Sequence, residues 1–249
     1  MIERYSRNYL YINSDQQSRV ANTTLLFGGA GIGSVIAEAA LRLGFRNMIV
    51  YDGDEVELSN LNRQNYLHDD IQYAKVERLQ RRLIAIDPSV NISYQKVFLT
   101  EDNVKEYIQK ADIAINAIDY NTDAPFMFDR VCMEQNLPVI HPFNFGWAGC
   151  AYVVMPDGQQ FSSIQNKNEA FEVTLARHTL EYLKNKTGQS YGWLYDTISE
   201  FNAHSDVPPP QLSVGSWITA GLVTHALFCL VNDIPVKIFP EPYVLSARD

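Results

Sequence analysis

A chain of 249 residues is long enough for one large α/β domain or two small ones, and 46% hydrophobic with 20% charged residues is ordinary for a folded protein. The formal net charge of −9 argues against a general affinity for nucleic-acid backbone, and 12% aromatics argues against disorder. Cys132, Cys150 and Cys229 form no C-x-x-C pair, which leaves no disulfide framework and no zinc site and fits a reducing cytoplasm.

Along the chain, Met1 to Arg7 carries charge without an apolar core, unlike a signal peptide. Thr23–Phe27 is β-branched and apolar and ends at glycine, the pattern of a buried strand. Ile32–Leu43 has Val35, Ala39 and Leu43 at helical spacing before Gly44. Met48–Tyr51 is a second strand, Lys75–Ile86 a helix stopped by Asp87-Pro88, and Asn91–Val97 an alternating strand. Glu101–Gln109 is expected as helix, Asp112–Ile118 as strand, Ala124–Gln135 as helix and Pro138–His141 as strand. This alternation implies a Rossmann-like α/β fold, a mostly parallel sheet covered by helices on both faces, with ligands at the C-terminal ends of its strands.

After residue 142 the pattern changes. Gly149–Met155 and Gln160–Ile164 flank Pro156-Asp157-Gly158, the signature of a hairpin and so of an antiparallel extension in the C-terminal half. Asn168–Lys186 is expected as an amphipathic helix, and 187–212, rich in Gly, Ser, Asp and Pro, as a long exposed loop. Ser216–Val231 is apolar nearly all round. It reads as a buried helix, since the uncharged run Trp217–Asn232 is short for a membrane span and contains His225.

The chemistry gathers at the strand ends. Gly28-Gly29-Ala30-Gly31-Ile32-Gly33 is a glycine turn between a strand and a helix, where backbone N–H groups attract phosphate, although the same glycines also suit a tight turn with φ > 0. Asp52, just after the second strand, stands where an acid takes a ribose hydroxyl, or is a solvated loop acid or a helix cap. Asp54 follows it with the same alternatives. Arg63 and Lys75 are fixed cations suited to a triphosphate, or ordinary surface charges. Asp119, ending a strand, offers oxygen to Mg²⁺ or caps the following helix.

Arg4-Tyr5-Ser6-Arg7-Asn8, the Gly28–Gly33 turn, Asp52-Gly53-Asp54 running into Ser59-Asn60-Leu61-Asn62-Arg63-Gln64, Lys75-Val76-Glu77, Ala117-Ile118-Asp119 and Val214-Gly215-Ser216 together carry a resemblance. The chain resembles the ubiquitin-activating-enzyme-like adenylyltransferases, the group containing ThiF, MoeB and HesA, through residues 1–155 and again near 213. The S-N-L-x-R-Q element is the specific signal. The resemblance implies one adenylation domain over 1–249, with a nucleotide-binding half (1–142) and a second half (143–249) holding antiparallel strands, a crossover loop and the final buried helix.

It also implies ATP-dependent activation of a carboxylate, most often the terminal glycine of a ubiquitin-like or sulfur-carrier protein. Gly28, Gly31, Gly33, Asp52, Asp54, Asn60 and Gln64 would line the nucleotide site, Arg63 and Lys75 would hold phosphates, and Asp119 would position Mg²⁺. Arg7 would act on the neighbouring subunit's site in a homodimer.

The chain departs from the group at Ala30, Tyr120, Ala124 and Pro142, lacks the zinc cysteine pairs, and has no cysteine in 156–212, so adenylation without an enzyme thioester is expected. Two other classes compete. A non-catalytic subunit holding a ubiquitin-like partner would explain the departures, and an NAD-dependent oxidoreductase would explain the glycines and Asp52 but leave Arg63 and Lys75 idle.

Overall fold

Seven strands form one sheet in the computed structural model, which describes residues 3–108, 110–166, 168–203 and 208–248. Gln109 at the end of one expected helix, positions 204–207 of the expected loop, and Met1 and Ile2 lie outside the described residues. The strands are β1 (Thr24–Gly28), β2 (Asn47–Tyr51), β3 (Asn91–Gln95), β4 (Ile113–Asn116), β5 (Val139–Asn144), β6 (Ala148–Val154) and β7 (Tyr243–Ser246). Their order is β3-β2-β1-β4-β5-β6-β7, parallel from β3 to β5 and antiparallel thereafter.

Side-chain alternation separates the two faces. Leu25 and Phe27 of β1, with Met48 and Val50 of β2, join one core cluster, while Leu26, Ile49 and Tyr51 join another. Helices α1 (Ser14–Asn22), α2 (Ile32–Leu43), α3 (Lys75–Ile86) and α8 (Ser213–Val231) contribute to the first face. On the second lie α4 (Glu101–Ile108) and α5 (Ala124–Glu134). The expected parallel sheet with two covered faces is what forms. Helix α8 has the length and hydropathy of a membrane span, yet half of it is buried inside the fold, where it packs on β5, β6 and α2. That is the buried helix the composition implied.

The second half corrects two expectations. Gln160–Ile164 is not a strand: Phe161–Ile164 is a single 3₁₀ turn that drops Phe161 into an aromatic cluster with Tyr152 and Phe239. The hairpin is instead β5–β6, turned by Gly146 at φ 72°, and β6 then pairs with β7, ninety residues later in the chain. The region 187–212 is not all loop either. After α6 (Phe171–Thr187) comes α7 (Gly192–Ala203), whose Leu194 and Ile198 pack with Val173, Ala176 and Leu180 of α6. Leu194, Ile198 and Phe201 recur at helical spacing, a signal hidden beneath the polar composition around them.

Candidate functional site

The strand order reverses between β1 and β4, and outside that switch point opens a cleft of about 1160 Å³. Gly29 forms its near edge. Its φ is +99°, and a Cβ there would collide with the Ala117 carbonyl, so β1 and β4 approach at this turn only because the residue is glycine. Of the expected glycines, Gly31 lines the cleft just before α2, whose first N–H groups have no partner within the helix. Gly28 and Gly33 do not line it. Gly28 packs against Ile118 and Phe128, and Gly33 faces Ala117 and Phe27. Their role is close packing of strand and helix.

Asp52 lines the cleft beside this turn, its Oδ2 accepting from the Ala30 N–H at 2.6 Å and its Oδ1 from the Asp54 N–H at 2.7 Å. Desolvation raises its pKa, against the pull of the Lys75 charge and those two amides. Lys75 is no ordinary surface cation: it is buried at the start of α3, and its Nζ meets Asp54 Oδ2 at 2.9 Å. Asp119 also lines the cleft, beyond β4. It does not cap α5, whose N-cap position is Asp123. Desolvation raises the pKa of Asp119, Lys75 lowers it, Asp54 raises it and Arg63 lowers it, so four of the expected residues share one electrostatic field.

The segment 59–66 is held by a scaffold no motif announced. Asn60, buried, turns its Oδ1 to the Glu57 N–H. Arg63 donates from Nε to Gln211 Oε1 at 2.5 Å and from Nη1 to the Ser59 carbonyl and Asn62 Oδ1, each at 2.8 Å. Gln64 lies against Gly31, with its Oε1 buried and unpaired among the described residues. Below them the Asn65 side-chain amide donates to Glu38 at 2.8 Å, the Asn65 N–H to Ser34 Oγ, and the Tyr66 hydroxyl to the Ala30 carbonyl at 2.7 Å. Helix α2 thus fixes the loop that presents Arg63 and Gln64. Ser34, Glu38, Asn65, Tyr66 and Gln211 escaped the sequence reading, because their contacts join segments far apart in the chain.

Next to Asp119, Tyr120 stacks on Phe171 with ring centroids 4.4 Å apart, and its hydroxyl meets His141 Nδ1 at 3.0 Å. His141 Nε2 lies 3.3 Å from Asp129, which also accepts from the Asn116 amide. Arg7 is exposed and does not line this cleft. All three cysteines are buried, and burial pushes each thiol pKa up, so none offers a ready thiolate. Among the described residues no group of three or more His, Cys, Asp or Glu is placed to hold a metal alone.

A ThiF family model matches residues 5–234. The chain belongs to the ThiF family. A member similar in sequence is the SAMP-activating enzyme E1 of Haloferax volcanii, 27% identical over 161 residues, covering 63% of this chain and 59% of that protein. The sulfur carrier protein ThiS adenylyltransferase of Bacillus subtilis is 30% identical over 162 residues, covering 63% of this chain and 48% of the relative. This ThiF-family chain therefore spans about half the length of those relatives. Among solved structures, PaaA covers all of this chain and 71% of its own at a TM-score of 0.72 and 20% identity. E. coli MccB with ATP covers 99% of this chain and 72% of its own at 0.69 and 18%, and the two likenesses establish a shared fold.

Proposed function

We propose that this ThiF-family chain adenylates a carboxylate with ATP. One observation carries the reading: Lys75, Arg63 and Asp119 come from three separate segments, face one cleft beside the Gly29–Gly31 turn, and act on each other's charge. The names of the relatives, a SAMP-activating enzyme and an adenylyltransferase of the sulfur carrier protein ThiS, support the same chemistry and point to a carrier protein as the acid. A carboxylate is already an anion at neutral pH, so its oxygen bonds to the α-phosphorus without a general base. The α–β P–O bond breaks, and the leaving pyrophosphate needs cations. Arg63 and Lys75 are those cations, and Asp52 accepts from the ribose hydroxyls. With no ready thiolate, the acyl adenylate is released or passed on without an enzyme thioester.

Mg²⁺ enters with the nucleotide. The cleft fits it: Asp119 supplies oxygen, as a hard cation prefers, and Mg²⁺ is commonly held by one or two carboxylates together with substrate phosphates. Asp119 would hold the ion, whose charge would supply screening of the triphosphate. Arg7, exposed and outside its own cleft, completes the site of a second copy in a homodimer.

The test is exchange of labelled pyrophosphate into ATP with carrier proteins and peptides as acids. Exchange lost in Arg63→Ala and Lys75→Ala supports adenylation. Mg·ATP binding without exchange for any acid supports a docking subunit, and tight NADH binding that ATP does not displace supports an oxidoreductase. Mixing Arg7→Ala with Lys75→Ala chains restores part of the activity if the site is shared, and none if it is not.

A further inference from the structure

The cleft is larger than one nucleotide requires. Sites built for a single small ligand span roughly 300–1,000 Å³, and this one is about 1160 Å³. It reaches from Asp52, at the end of β2, to Trp147, at the start of β6. In a sheet ordered β2-β1-β4-β5-β6, that is four strand spacings, or about 19 Å.

The two ends differ in chemistry. The β2 end carries Asp52, Asp54, Lys75 and the glycine turn. The β6 end is walled by Phe145, Trp147, Ala176, Trp193, Phe201 and Leu212, from the β5–β6 turn, α6, α7 and the strand-like approach to α8. Of the described residues lining the cleft beyond Asp119, Glu172 alone is charged. Its carboxylate stands in the first turn of α6 and accepts from its own backbone N–H, which leaves it free to take a cation as well. Burial raises its pKa most, a hydrogen bond from its own backbone N–H lowers it, and the nearby Asp119 raises it.

A diglycine tail has no side chain to fill such a wall. Resting on the adenylation reading, we propose that the activated acid is a peptide C-terminus whose last residue is bulky and apolar or aromatic, seated against Trp147 and α7, with a basic side chain upstream paired to Glu172. The carboxylate then points along the cleft toward Asp119 and the α-phosphate, while its side chain stays at the aromatic end. The acidic chain, at net −9, favours approach of a basic peptide.

The experiment uses the full chain, pyrophosphate exchange, and three short synthetic peptides that differ only at the last residues or at one upstream position: Lys-containing and ending in Phe, Lys-containing and ending in Gly-Gly, and ending in Phe with Glu in place of the Lys. Mg·ATP affinity is measured in parallel by calorimetry. The Lys-containing Phe peptide is expected to exceed the other two by about tenfold in kcat/KM, the scale of a filled apolar pocket. Trp147→Ala should erase the preference for Phe, and Glu172→Gln the preference for Lys, with Mg·ATP affinity unchanged in both. Because Trp147 is 43% exposed, its removal leaves the core intact. Equal or better exchange with the Gly-Gly peptide overturns the inference and leaves adenylation standing. So does Mg·ATP binding with no exchange for any of the three. Failure to bind Mg·ATP at all overturns the adenylation reading beneath it.

Discussion

The two ends of the cleft are made in different ways. At the β2 end, side chains are set by short local rules: a glycine turn between strand and helix, an acid after β2, a lysine opening α3. At the β6 end, the wall is assembled from the β5–β6 turn, α6, α7 and residues 209–212, and is mostly apolar. Polar recognition of a phosphate needs fixed donors and charges, which a motif can encode. Apolar recognition of a variable acid needs only shape, which many sequences supply. On the adenylation reading the difference divides the labour: the polar end would take the nucleotide and the apolar end the acid.

The largest effect should fall at the polar end. Lys75→Ala removes the buried cation beside Asp54 and Asp119 and is expected to lower exchange by about 10²–10³, the loss seen when one preorganised charge-stabilising group is deleted. It should do so for every acid tested. A loss confined to one acid would show the division between the ends to be false.

Next in size is a stability effect in the scaffold beneath that end. Glu38, buried on α2, accepts from Asn65, Arg42 and Arg82. Glu38→Ala leaves the Asn65 amide unpaired and should cost about 1–3 kcal/mol, read from the urea midpoint. Burial pushes the Glu38 pKa up, but the hydrogen bonds and charges of Arg82 and Arg42 outweigh it and lower it overall. A carboxyl depressed by folding stabilises above its unfolded pKa and loses that contribution as pH falls through the folded one. The gap between parent and variant should therefore shrink in acid. A gap constant with pH would count against this pairing.

These residues also mark what the sequence could and could not yield. The strand–helix alternation to residue 142, the glycine turn and the S-N-L-x-R-Q element were legible because period and spacing are local. Gly29 went unweighed among its neighbours, since only the approach of the Ala117 carbonyl singles it out. Strand β7 was unreadable because its pairing with β6 spans some ninety residues. Helix α7 lay in plain sight at 194, 198 and 201, outvoted by flanking Gly, Ser and Pro. The ties of Asn65 to Glu38 and of Arg63 to Gln211 cross from one segment to another, and no spacing rule reaches that far.

The Gln211 tie joins the two ends. Its Oε1 receives Arg63 Nε, its carbonyl receives the Asn62 amide at 3.2 Å, and the next residue, Leu212, belongs to the apolar wall. Gln211→Ala frees the guanidinium from a charge-assisted bond. The rate kcat should drop by roughly tenfold or less, matching about 1 kcal/mol of positioning, with little change in KM for ATP. An altered KM with intact kcat would mean that Gln211 serves nucleotide binding instead.

The smallest effect is a displacement along the pH axis, and its sign is fixed by the charges around Asp119. Desolvation in the cleft raises that carboxyl above its ordinary pKa, while Lys75 and Arg63 hold it down. In the adenylation reading Asp119 works as an anion, so Mg·ATP affinity falls as pH drops through its pKa. Arg63→Gln removes one restraining charge, leaves the desolvation in place, and lets the pKa climb further. The acid limb of Mg·ATP affinity should then move to higher pH, on top of any uniform weakening from the lost phosphate contact. Trp147→Ala, at the apolar end, carries no charge change and should leave the limb where it was. A limb that stays fixed in Arg63→Gln, or moves toward acid, would remove Asp119 from the nucleotide's partners and leave the polar end without its metal-facing group.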